Sequence, residues 1–296
     1  EFRRVLFRSE GFQKYTMIIV LVLVTIFFAW GTQGKILLPQ NINNLISQNA
    51  YVFVLATGML LCILTGGNID LSVGSVVCFV GALCGIFMEN MNLPDGVAII
   101  LALLIGTLIG AWQAFWIAYV RIPPFIVTLA GMLMFRGLSN VVLQGKTLPI
   151  KSEIFVKLFG GGANCYIPDF LGGEDGLNKV ALAVGIIACA IYVILTIRTY
   201  MNRKKNGYDA GSAVAVYGKM ILIVAVIMAV CIKLAQYKGV PTSLVWVILV
   251  VIVYGYITSK TTVGRHFYAV GGNEKATKLS GINTNRVYRS EERRVG

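Results

Sequence analysis

Long apolar runs alternate with shorter polar stretches along most of this chain. Apolar runs fall at residues 15–31, 51–65, 73–88, 97–120, 125–143, 180–197, 219–235 and 244–259. Runs of this length suit helices crossing about 30 Å of hydrocarbon, the first lying near the lower limit. The pattern therefore predicts an all-α, polytopic membrane helical bundle of about eight spans. Residues 32–50 are polar and Asn-rich, but Ile42, Leu45, Ile46 and Ala50 recur at helical spacing. This predicts a separate interfacial helix before the second span. A long loop, 144–179, carries glycine clusters and several acids. A second polar stretch, 262–286, follows the eighth run and is basic and punctuated by glycine.

Composition supports the membrane class. Apolar residues make up 57% of the chain and charged residues 13%, against about 25% charged in soluble domains. The net charge is +13. The two ends, EFRRVLFRS at 1–9 and RSEERRVG at 289–296, read as in-frame translations of sequencing adapters and are expected to be non-native. They are set aside from fold reasoning. Without them Lys+Arg falls from 26 to 20 and Asp+Glu from 13 to 10, leaving +10. That excess is spread over loops, which suits cytoplasmic membrane loops and not a nucleic-acid stripe. Basic loops flanking spans stay in the cytoplasm. With a cytoplasmic N-terminus and eight spans, the loops at Arg121, 198–206 and 260–286 fall inside, and the acidic loops at 89–95 and 153–175 fall outside. Lys233 and Lys238 fit less well. The six cysteines form no CxxC pair, and no disulfide or metal framework is implied.

Three stretches carry candidate chemistry. In 66–75, GGNIDLSVGS, an acid interrupts two apolar runs. A charge at the centre of a span costs roughly 2.5–3.5 kcal/mol, so such acids are functional or paired. Two readings of Asp70 stay open: a pathway residue, or a cap on the third helix. Gly66, Gly67 and Gly74 allow close backbone approach or a helix break, and Ser72 and Ser75 can bond freed backbone groups. Pro123 and Pro124 open the fifth span, as a plain helix start or as a broken pathway helix. Trp112, Gln113, Trp116 and Tyr119 lie near one face of the fourth run. They suit an interfacial belt or core packing better than a sugar site. In 262–286, Gly271, Gly272 and Asn273 can stop one short helix and start another. EKATKLS then forms a helix ended by Gly281. His266 is the single histidine and is expected on an exposed loop.

GRHFYAVGGNEKATKLSGI resembles the cytoplasmic coupling loop of bacterial ABC sugar-importer permeases, the ribose, xylose and multiple-sugar family. GGNIDLSVGS and IPPFIVTLAGMLMFRG (122–137) match the same family, and the resemblance covers about residues 12–287. It implies an ABC importer permease fold and a membrane domain at 10–288 that is incomplete at its C-terminus. It also implies a bacterial inner-membrane, multi-pass subunit that moves a monosaccharide, such as a pentose, into the cytoplasm. The coupling residues are then Gly264, Arg265, Gly271, Gly272, Asn273, Glu274, Ala276, Leu279, Ser280 and Gly281. The pathway or gating motif comprises Gly66, Gly67, Asp70, Ser72, Gly74, Pro123 and Pro124. The implied partners are cytoplasmic ATPase subunits, a periplasmic sugar-binding protein, a second permease copy and the lipid membrane, with no cofactor, metal or nucleic acid. The chain has no G-x-x-x-x-G-K-[ST] phosphate loop, so active transport would draw on a separate ATPase. The rival reading is a self-contained secondary transporter or channel coupled through Asp70. A membrane enzyme has no acid, histidine or metal-ligand cluster to support it.

Overall fold

The computed structural model describes residues 10–65, 68–160, 165–172, 177–207, 212–284 and 287, apart from the side chains of 10–15. The adapter-like ends lie outside the described residues. The chain divides into two compact units, Glu1–Ser47 with Tyr166–Pro241, and Gln48–Cys165 with Thr242–Gly296.

In the first unit, α1 spans Glu10–Gly31 and a short 3-10 turn covers Lys35–Leu37. α2, Pro39–Leu64, starts here and continues into the second unit. α7 (Lys179–Lys205) and α8 (Ala213–Ala235) pack together. Gly185 makes room for Cys231, whose Cβ would stand 2.7 Å from an added methyl. Asn178 caps α7 by accepting from the Ala181 amide at 2.9 Å. α2 corrects one expectation. The Asn-rich stretch is not a separate interfacial helix but the first turns of a 26-residue helix. Pro39 sits at its start, where proline is tolerated, and no proline interrupts the run. Asn43 and Ser47 are buried on its inner face, and the Asn43 amide donates to the Gly239 carbonyl at 3.4 Å. Polar residues that the sequence placed on an interfacial helix here line a buried helix face.

In the second unit, α3 (Val73–Glu89), α4 (Asp95–Ala118) and α5 (Pro124–Leu143) form the core. Val76, Ile109 and Phe135 meet at one level; Cys84, Met88 and Ala98 meet at another. α5 begins with Pro124 in its first turn, as the plain helix start requires. The loop 144–179 adds a helix that periodicity did not predict, α6 (Glu153–Phe159). Ser152 caps it and also donates to Asp95 at 2.5 Å. Glu89 accepts from the Lys151 amide at 2.6 Å. The Trp246 indole of α9 (Thr242–Lys260) donates to the Leu158 carbonyl at 2.9 Å, and its ring stacks on Phe159 at 5.0 Å. α10 (Thr262–Gly272) and α11 (Glu274–Leu279) close the unit.

Among the described residues, six helices are long and apolar enough to cross a membrane, and the helical stretches Thr16–Gly31 and Val73–Glu89 are shorter apolar ones. Each of the eight expected apolar runs falls on one of these helices, six of them long enough to span. Leu21, Leu103, Leu108 and Ile186 are more than half exposed, an apolar exterior that suits lipid as solvent.

Candidate coupling segment and polar node

An extended Thr261 separates α10 from α9. It begins α10 by accepting from the Gly264 amide at 3.3 Å. Gly264 is buried, and a Cβ there would run into the Thr258 carbonyl. Phe267 and Val270 then fall on one face, three and six residues on. They pack with Leu61 of α2 and Val287, all at most 7% exposed. One turn after Phe267, Gly271 lies against the carbonyl end of α2, where a Cβ would strike the Leu64 oxygen. A glycine can approach backbone this closely because it has no side chain.

Asn273 joins the two helices. Its amide closes α10 on the Ala269 carbonyl, and its side chain accepts from the Ala276 amide at 3.0 Å, capping α11. Thr277 is buried and donates to the carbonyls of Ala269 and Asn273, both at 2.8 Å. The helix break falls where the sequence places it, but for another reason. Gly271 and Gly272 stay inside α10 without positive φ, and the extended Asn273 (φ −160°) makes the turn. Gly281, at φ +83°, does use the left-handed freedom of glycine to end α11.

The sequence-predicted coupling residues separate into two sets. Gly264, Gly271 and Asn273 build the segment. Glu274 forms a surface ion pair with Arg121 at 3.7 Å. Gly272, Ala276, Ser280 and Arg265 are exposed, and Leu279 is 89% exposed. An added Cβ at Gly272 meets nothing within 4 Å. His266 is half-buried, not fully exposed. Arg121 sits in the turn before Pro123, at φ +65°. Both partners of the pair are substantially exposed, and such pairs contribute about 0–1 kcal/mol. Glu274→Gln is therefore expected to shift the detergent melting curve of the full-length protein by no more than that, about 2–4 °C.

The second candidate lies between α2 and α3. Gly66 and Gly67 lie outside the described residues. Asp70 is 5% exposed and Ser72 fully buried. Asp70 does not cap α3. Its Oδ1 accepts from the Ser72 amide at 2.8 Å and the Ser72 hydroxyl at 2.7 Å. The same Ser72 oxygen accepts from the Gln113 amide of α4 at 2.9 Å. Gly131 of α5 leaves the space that Gln113 fills, for a Cβ there would run into the amide nitrogen. Thr128, also buried, donates to the Ile69 carbonyl at 3.4 Å. Asp70, Ser72, Gln113 and Gly131 thus pin the non-helical link to α4 and α5. Hydrogen bonds from a hydroxyl and an amide offset part of the cost of burying a carboxylate. Of the two roles expected for Gly74, close approach is not made, since it has open space around it, and it lies in the first turn of α3. Gln113 was read as belt or packing, and Gly131 was not singled out by the motifs.

Comparison with known proteins identifies the family. Residues 41–159 and 175–288 match the model of the family described as "Branched-chain amino acid transport system / permease component". The chain belongs to that family. The permease is 34% identical over 280 residues to the xylose transport system permease protein of Escherichia coli K12, covering 95% of this chain and 68% of the relative. It is 32% identical over 281 residues to the xylose transport system permease protein of Haemophilus influenzae, covering 95% and 71%. The ribose import permease protein of the same organism is 30% identical over 248 residues, covering 84% and 54%. These relatives are membrane transport components, not enzymes. No solved structure matches the permease.

Proposed function

We propose that this chain is the membrane-spanning subunit of an ATP-driven importer that carries a monosaccharide, a pentose such as xylose, into the cytoplasm. Similarity to xylose and ribose permeases supports the substrate class. The observation that carries the coupling role is the α10–α11 segment, built from inside and bare outside. Phe267, Val270 and Gly271 fasten it to α2, while Leu279 stands 89% exposed among Lys275, Lys278 and Ser280. An exposed leucine on a short, capped helix is a surface for another protein to cover. The partner is a cytoplasmic ATPase subunit, with Gly272, Ala276 and Leu279 as its contacts and Glu274 holding α11 on Arg121. A periplasmic sugar-binding protein supplies the substrate, and a second permease copy completes the assembly in the inner membrane. The N-terminus lies in the cytoplasm by the charge pattern.

The test is copurification of the full-length permease with the ABC ATPase of its own operon, followed by the same with Leu279→Asp. Burying a leucine contributes about 1.5–3 kcal/mol, so the variant should recover about tenfold less ATPase. Unchanged recovery would remove the docking face from α11. ATP-independent sugar uptake by the wild type would overturn the importer reading itself.

A further inference from the structure

The first unit carries an open groove of about 430 Å³ where α7 runs beside α8. One face of α7 forms it, since Tyr192, Thr196, Thr199 and Arg203 recur at helical spacing, and Val216 of α8 edges it. The two helices are tied at both ends of the span. The Asn178 amide donates to the Ala235 carbonyl at 2.9 Å, and the ring of Tyr200 meets that of Tyr217 at 5.8 Å. At 1.5 Å per residue, α7 climbs roughly 33 Å from Asn178 to Tyr200, about the thickness of the hydrocarbon. Asn178 with Lys179 therefore marks one membrane boundary. Tyr200 and Tyr217 mark the other, where tyrosine is enriched. α7 does not stop there but runs on to Lys205. Arg203 and Lys204 lie about 4–6 Å beyond Tyr200, at headgroup depth.

We infer that this groove seats an anionic phospholipid, its phosphate on Arg203 and Lys204 and an acyl chain along Leu195 and Tyr192. The inference is independent of the importer reading and needs only that α7 and α8 span the membrane. Charge selects the headgroup. Arg198, Arg203, Lys204 and Lys205 crowd the end of α7, and neither α7 nor α8 contains an acid. None of the four enters an ion pair among the described residues. An arginine offers paired donors to phosphate oxygens, and lysines beside it add point charges. A basic pocket between spanning helices at the membrane boundary is the kind of site that holds acidic headgroups. The rest of the groove selects the chain. Thr199 and Tyr200 stand about one turn below Arg203 with their hydroxyls, and Leu195, 57% exposed, follows as apolar surface. The face thus grades from cationic through hydroxyl to apolar with depth, as a phospholipid does. A soluble anion would use the basic end alone. The open side of the groove admits a ligand laterally from the bilayer.

The test is lipid binding to the detergent-solubilised full-length permease, titrated with phosphatidylglycerol and with phosphatidylcholine of the same chains and read by native mass spectrometry. The wild type should prefer phosphatidylglycerol by about tenfold or more, since each basic group near an anionic headgroup is worth about fivefold. Arg203→Gln with Lys204→Gln should weaken phosphatidylglycerol by about tenfold or more and leave phosphatidylcholine unchanged. Thr199→Trp keeps the charge, fills the groove and should weaken phosphatidylglycerol about fivefold. Equal affinity for the two lipids in the wild type, or unchanged phosphatidylglycerol binding in the Gln pair, overturns the inference. So does unchanged binding in Thr199→Trp, which would mean attraction to exposed charge without a seat. Glycerophosphoglycerol, the same headgroup without chains, should not compete. Competition equal to that of the whole lipid would make this a soluble-anion site and overturn the inference, and this arm decides alone should Thr199→Trp not fold. If the Gln pair instead loses ATPase recovery while lipid binding is unchanged, the basic end serves a protein and the lipid inference falls.

Discussion

Gly271→Val is expected to abolish ATP-driven uptake, by about tenfold or more, while leaving the ATPase bound and hydrolysing. The added Cβ would meet the Leu64 carbonyl, which is backbone at the end of α2 and cannot swing aside like a side chain. Relief requires α10 to move away from α2, separating Phe267 and Val270 from Leu61. Overpacking of this kind costs about 1–3 kcal/mol, and each 1.4 kcal/mol is tenfold in an equilibrium. The exposed face of α11 is untouched, so docking should persist while transmission to the spans is lost. Gly272→Val is the contrasting variant. Its Cβ has open space, so the fold should hold and ATPase recovery should fall instead. The measurement is uptake per ATP hydrolysed, together with ATPase recovery, for each variant. Normal uptake per ATP in Gly271→Val would mean that the α2 contact transmits nothing.

These adjacent glycines illustrate what the sequence could and could not convey. The run GGN marked the break between α10 and α11, because glycine and asparagine are poor helix continuers. It did not tell which residue turns and which one packs. That depends on Leu64, two hundred residues earlier in the chain and brought close only by folding. The spans were legible because each is a long apolar run. The N-terminal extension of α2 was not, because its first turns are rich in asparagine. Asn43 is recognisable as part of a buried helix face only once Gly239 is known to face it. The local half of the node, Asp70 with Ser72, lies within two residues and was open to reading. The distant half, Gln113 and Gly131, was not, because a glycine in an apolar run looks the same whether its face is open like that of Gly81 or filled like that of Gly131. Arg121 is likewise an ordinary loop charge until the fold pairs it with Glu274.

The node makes the last distinction measurable. Gly131→Ala puts a methyl group where the Gln113 amide nitrogen lies. Gln113 is 2% exposed, so it cannot rotate into solvent, and it must give up the Ser72 oxygen. Leaving a buried donor unpaired costs about 1–3 kcal/mol, which corresponds to a fall of several degrees, about 4–8 °C for 2 kcal/mol, in the melting temperature. Uptake should fall in parallel, because Ser72 also fixes Asp70 through two bonds. Gln113→Ala alone loses the same bond and opens a void. Combined with Gly131→Ala, however, it removes the group that clashes, and the new methyl occupies part of the void. Ser72 keeps its bond to Asp70 in that double variant. The pair should therefore be less destabilised than the sum of the single changes by about 0.5–3 kcal/mol, the range for residues in contact. Thermal melts of all four proteins in detergent, with sugar uptake in liposomes, measure the coupling. Strict additivity would show that Gly131 and Gln113 act independently, and that the link between α2 and α3 is held by Asp70 and Ser72 without α4.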